Sequence, residues 1–249
     1  MKFSKPLLAL VICAAALPFS RAAEAARPAC TPDATWAVVD GAVAGVRVWY
    51  DTSRAADLTQ AQAIASILDS DVWPNLITGL LFQAPLSDIA LGCNGGDGRL
   101  DIFVVAGPGP PGATTAEPGT DFQSSTYVEI RSGLSGQELQ YAVTHYFMHA
   151  VEWSYPMAAT QLSYGWMRNA MANWAVEAVY SSNPTLLPGA TCHTNSNFLS
   201  IESMSTGSCV GDPNRTRDYG AYLLFQYIGG TLGNTKVPGV LAATTGVST

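Results

Sequence analysis

His145 and His149 stand four residues apart and account for two of the chain's three histidines. On a helix that spacing puts both imidazoles on one face, one turn above the other. Two ring nitrogens on one face supply half of a tetrahedral zinc site, which takes nitrogen, sulfur or carboxylate donors. Glu177 follows His149 by 28 positions and is flanked by Trp174, Ala175, Val176, Ala178 and Val179. A carboxylate in so apolar a stretch needs a partner, and it reaches the histidines if its helix packs antiparallel to theirs. The expected arrangement is a His-His-Glu site for zinc with one coordination position open to solvent or ligand. The competing reading is an ordinary helix face with a solvated glutamate, the commoner fate of that residue.

Tyr146 complicates the chemistry. The hydrolytic pattern for two histidines at this spacing is H-E-x-x-H, in which the glutamate is the general base. Here Tyr146 occupies that position. A general base works best with a pKa near the operating pH, whereas a free phenol sits near about 10 and is a donor at neutral pH. It can stabilise an oxyanion by hydrogen bonding, or simply pack. Packing is the expectation, because Tyr146 shares a stripe with Leu139, Val143, Ala150 and Trp153, with its hydroxyl at the cleft rim. Glu152, three residues after His149 on the same face, is expected to orient a histidine ring and lies too far along to serve as the base. Tyr155, Tyr164 and His193 are weaker candidates as donors to the cleft.

The histidines need a helix, and the pattern predicts one over Gly136 through Trp153, ended by Pro156. A second helix is predicted from about Met167 to Tyr180, carrying Trp174 and Glu177, and a third over Tyr219 through Ile228. Strands are predicted at 46–50, 100–105 and 126–130, where β-branched and aromatic residues alternate. Thr59 through Leu81 reads as helix interrupted near Trp73-Pro74. Residues 26–45 and the Gly/Pro-rich 106–121 read as irregular. Asp97 and Asp101 read as turn and strand-edge residues; a calcium loop would need oxygen ligands where Cys93 and Gly95 stand.

The chain has 249 residues, 48% hydrophobic and 12% charged, with a formal net charge of -7. That is enough for a sizeable core and argues against long disorder. No basic stripe points to nucleic acid. Lys2 and Lys5 precede a short apolar run from Leu7 to Leu17, and Ala23-Glu24-Ala25 fits a leader-cleavage site, so residues 1–25 are expected to be a secretory signal and 26–249 a single domain. No other stretch is long and apolar enough to span a membrane, and the expected location is secreted or periplasmic. Beyond the leader remain Cys30, Cys93, Cys192 and Cys209. In an exported protein an even number favours disulfides. Three pairings exist; Cys192–Cys209, bracketing one polar loop, is favoured, with Cys30–Cys93 the consequence.

The run Gln140-Tyr-Ala-Val-Thr-His-Tyr-Phe-Met-His-Ala-Val-Glu152, the later Trp174-Ala-Val-Glu177, the earlier Gly96-Asp-Gly-Arg-Leu-Asp-Ile102 and Tyr219-Gly-Ala-Tyr-Leu-Leu-Phe resemble, in this order, segments of secreted bacterial metallopeptidases of the gluzincin-like zincin family. The resemblance covers roughly residues 46–230. It implies an α+β, zincin-like fold with a small sheet packed on the active-site helix, zinc held by His145, His149 and Glu177, and peptide or protein as substrate or ligand. The chain departs from the pattern at Tyr146, which does not inherit the role of base, and in its early C-terminus. Two functions follow as expectations: a zinc metallopeptidase homologue in which hydrolysis is doubtful, or a non-catalytic secreted binding protein that uses the old cleft.

Overall fold

The computed structural model describes residues 27–28, 35–42, 45–89, 96–117, 123–156, 165–181, 183–186, 190–192, 194, 208–209 and 212–244, with side chains left undescribed over 208–218. The expected leader and residues Cys30, Cys93, Tyr164 and His193, as well as the side chain of Cys209, lie outside the described residues. Cys192 is buried and disulfide-bonded.

The architecture is α+β. Five strands form a mixed sheet: β1 (Trp36–Asp40), β2 (Val46–Asp51), β3 (Leu100–Val105), β4 (Gly112–Ala116) and β5 (Thr126–Arg131), in the order β1-β2-β3-β5-β4. β2, β3 and β5 run parallel, and the two outer strands pair antiparallel. Parallel neighbours require a long crossover, supplied between β2 and β3 by α1 (Ala55–Ile67). That helix continues through Leu68–Val72 and Pro74–Gly79 as widened π turns. Pro74 has no N–H to close an ordinary turn, and the wider turn carries the helix past it. Where the pattern predicts an interruption near Trp73-Pro74, the chain stays helical and only its turns widen.

Alternation of side chains gives the sheet two different faces. Val46, Val48, Leu100, Ile102, Val104, Val128 and Ile130 are buried in one core with α1 and the long helix α2 (Gly136–Glu152). The opposite face carries Trp49, Phe103 and Tyr127, with Phe103 stacked on Trp49 and edge-on to Tyr127. α3 (Gly165–Val179) packs on α2, and α4 (Tyr222–Leu232) packs on α3. A final short helix, α5 (Pro238–Ala243), follows, and a small hairpin, β6 (Ser208–Cys209) with β7 (Asp212–Thr216), precedes α4.

Two strands correct the reading of the sequence. β1 lies inside the Ala/Gly-rich lead-in and β4 inside the Gly/Pro-rich segment. Both are outer strands, where partial exposure weakens the apolar alternation that marks a strand. β4, Gly-Ala-Thr-Thr-Ala, has almost no strand signature and is held by its register with β5, Gly112 opposite Ile130 through Ala116 opposite Thr126.

Asp101 is likewise no edge residue. It sits buried in the central strand and binds the guanidinium of Arg27, which also engages Asp88 and Glu117. Asp101 Oδ1 accepts a further bond from Trp49 Nε1 at 2.7 Å. Three carboxylates around one buried cation cannot all ionise without repulsion. Burial pushes the Asp101 carboxyl up to about 6, against the pull of Trp49 and Arg27. This knot joins the N-terminal segment to β3 and to the residue following β4. Replacing Arg27 with methionine strands those carboxylates and should cost about 3–5 kcal/mol in denaturant-induced unfolding, the range for breaking a buried ion pair. Glu138→Ala, at an exposed pair with Arg131, should cost less than about 1 kcal/mol in the same measurement.

Candidate metal centre

α2 begins at Gly136, whose φ of 54° suits glycine, and runs unbroken to Glu152. Leu139, Val143, Phe147 and Ala150 bury its apolar side, while His145 and Glu152 are also fully buried. The sequence thus folds a polar row into the interior, and each member must find a partner there.

The two imidazoles converge. His145 Nε2 and His149 Nε2 lie 3.2 Å apart. Each ring is held from behind: His145 Nδ1 is 2.9 Å from Asn173 Oδ1, and His149 Nδ1 is 2.8 Å from Glu152 Oε2. Glu152 thus stands behind the His149 ring. The His145 ring is stacked against Tyr141 at 5.1 Å and lies parallel to Tyr219 at 5.9 Å. His149 keeps 16% of its side chain exposed, whereas His145 is fully buried.

Burial sets the charge states. It pushes both imidazoles down, His145 well below the ordinary histidine range with help from His149, and His149 to about 4 with help from the nearby Arg168. Both rings are neutral at pH 7, the form that binds metal. Burial pushes Glu152 well above the usual carboxylate range despite Arg168, and its Oε1 is buried with no hydrogen-bond partner among the described residues. Arg168 stacks over Trp153 with its guanidinium carbon 4.2 Å from the ring centroid.

The donor chemistry fits a zinc ion in part. Two nitrogens bound tetrahedrally at about 2.0–2.1 Å lie about 3.3–3.4 Å from each other, close to the separation of the two Nε2 atoms. The third ligand is where expectation and structure differ. Among the described residues, no group of three or more His, Cys, Asp or Glu side chains is arranged to hold a metal ion. α3 does run antiparallel to α2, with Asn173 level with Tyr141 and His145 and Arg168 over Trp153. In that register Glu177 lies one turn beyond Asn173, towards the N-terminal end of α2, and its field reaches Tyr222 of α4. Asn173, which no motif in the sequence singled out, is the α3 side chain that meets the histidines. The signal present in the sequence is an amide set between Ala172 and Trp174-Ala175-Val176.

Tyr146 packs against the core. Its ring is edge-on to His145 at 5.0 Å and rests on Gly112 at the start of β4. Burial, reinforced by Tyr219, pushes its phenol up to about 12. It is thus further from being a base than a free tyrosine. Thr114 Oγ1 donates to the Tyr146 carbonyl at 2.7 Å, fixing β4 along α2. The Gly/Pro-rich loop before β4, with Glu129 and Arg131, lines a neighbouring hollow of about 170 Å³.

No family of known proteins, no curated protein and no solved structure matches the chain.

Gly112 is the contact that lets β4 approach α2. A Cβ there would stand 2.5 Å from the Glu129 carbonyl oxygen and 2.6 Å from the Tyr146 ring. Gly112→Ala should therefore lower stability by about 1–3 kcal/mol, the usual cost of overpacking, read from the denaturant midpoint.

Proposed function

We propose that this chain is a secreted, zinc-binding homologue of the zincin metallopeptidases, one that binds peptide in its cleft and lacks the general base for efficient hydrolysis. The observation that carries this reading is the pair of Nε2 atoms 3.2 Å apart on neutral rings, each with its Nδ1 anchored. His145 and His149 would hold the metal, and Glu152 would orient His149 from behind, the arrangement of a carboxylate–histidine–metal relay. The chemistry zinc supplies in such a site is Lewis-acid polarisation of a bound carbonyl.

The chain's own residues do the rest. His149 is the more exposed of the two rings, so a ligand would approach from its side. β4 is one of the two outer strands of the sheet and lies against α2 at Tyr146, between the histidines. An outer strand offers a row of backbone donors and acceptors, which an extended peptide can pair with. Tyr146 contributes a phenol to the wall and keeps its proton throughout the neutral range. A phenol of that kind donates a hydrogen bond but does not take a proton from water. Loss of general-base catalysis costs on the order of 10²–10⁴-fold, so binding outlives turnover. Export agrees with the leader-like N-terminus and with the disulfide at Cys192.

The full-length protein, processed by its own host and dialysed against zinc, is expected to retain one equivalent of metal by elemental analysis and to lose it in His145→Ala. Absence of stoichiometric metal in the folded wild type would overturn the proposal. Peptidase assays on wild type and Tyr146→Glu divide its second half: chelator-sensitive cleavage is expected only in the glutamate variant. Robust chelator-sensitive cleavage by wild type would make it an enzyme.

A further inference from the structure

Asn173 lies at the centre of a hydrogen-bond junction that joins three parts of the chain. Its Nδ2 donates to the Tyr219 carbonyl at 2.6 Å. A backbone carbonyl can only accept, which fixes the orientation of the amide. Oδ1 must then face the other way, towards α2, where Tyr141 Oη donates to it at 3.2 Å and the His145 ring lies 2.9 Å away. An amide oxygen also only accepts, so His145 Nδ1 must carry the ring proton. The lone pair of the neutral ring is thereby placed on Nε2, the atom facing His149.

We infer that Asn173 is the positioning residue of this centre: through the Tyr219 carbonyl it sets the tautomer of His145 and aims that ring's Nε2 lone pair at His149. The inference rests in part on the metal-binding reading above, because the lone pair acquires a use only if a cation is held between the rings. The tautomer itself does not depend on the metal. The geometry contains further support. Tyr141 and Tyr219 both stack against the ring of His145, at 5.1 and 5.9 Å between centroids, and the ring is buried. Asn173 is itself buried, so water does not compete for its amide oxygen. The junction also ties the centre to the short 3-10 turn Arg217–Gly220 through its backbone, which makes the segment after β7 part of the site's support.

The test uses the full protein with its histidines labelled with ¹⁵N. In metal-free wild type, the His145 ring is expected in the Nδ1–H form. Finding it in the Nε2–H form overturns the inference, and this measurement needs no variant. Asn173→Leu, which removes the acceptor, is expected to release the ring into a mixture of tautomers and to weaken zinc binding by about 10–100-fold, the range seen when such supports are lost. Asn173→Asp keeps an acceptor facing Nδ1 and is expected to retain the wild-type tautomer. An Asn173→Leu protein that folds with wild-type tautomer and wild-type zinc affinity overturns the inference and leaves the metal-binding reading intact. A wild type with the Nδ1–H form but no affinity for zinc supports the tautomer-setting role of Asn173 and overturns the metal-binding reading.

Discussion

The register with which α3 passes along α2 is the constraint on which the site depends. Helix α2 carries His145 and Glu152 into an interior closed by apolar side chains. Polar groups so placed are tolerable only if a neighbour satisfies them. α2 satisfies His149 itself, through Glu152 one turn on. His145 Nδ1, by contrast, finds its partner on the neighbouring helix, at Asn173. A slide of one turn between the helices would bring Glu177 or Asn169 level with His145 instead, with different charge and different hydrogen-bonding capacity. The apolar contacts of α3, from Met167 through Val176, hold the register that presents an amide.

That choice has electrostatic consequences. An amide holds the imidazole without adding a formal charge to a buried place, and burial then keeps both rings neutral. Arg168 adds positive potential near His149 and Glu152. The second polar knot, at Arg27, is built on the opposite principle, with several carboxylates gathered on one guanidinium. It fastens β3 and the residue after β4 to the N-terminal segment. The position of β4 thus depends on contacts at both of its ends: Gly112 and Thr114 against α2, and Glu117 against Arg27.

Much of the scaffold could be read from residue patterns. The strands at 100–105 and 126–131 and helix α2 are long or strongly alternating, and the structure places them within a residue or so of their expected bounds. Helix α3 starts at Gly165, two residues earlier than the pattern suggested. The third expected helix begins at Tyr222, because Arg217–Gly220 forms a tighter 3-10 turn ahead of it. β1 and β4 escaped notice because outer strands owe their conformation to a neighbour's backbone. The buried role of Asp101 is invisible to local pattern for a related reason: its partner, Arg27, lies 74 residues away in the chain.

By itself the sequence determined that two imidazoles share a helix face, that a carboxylate stands one turn beyond the second, and that a tyrosine stands where a base would be. These are local facts, fixed by the 3.6-residue turn. Only the tertiary structure decided what lies opposite. It brought the Nε2 atoms to 3.2 Å, gave His145 an amide partner rather than the carboxylate of Glu177, and pressed Tyr146 against Gly112 of a strand the sequence did not announce. The reason is that helical periodicity fixes which side chains share a face, whereas the level at which a second helix crosses that face is set by the packing of the whole core.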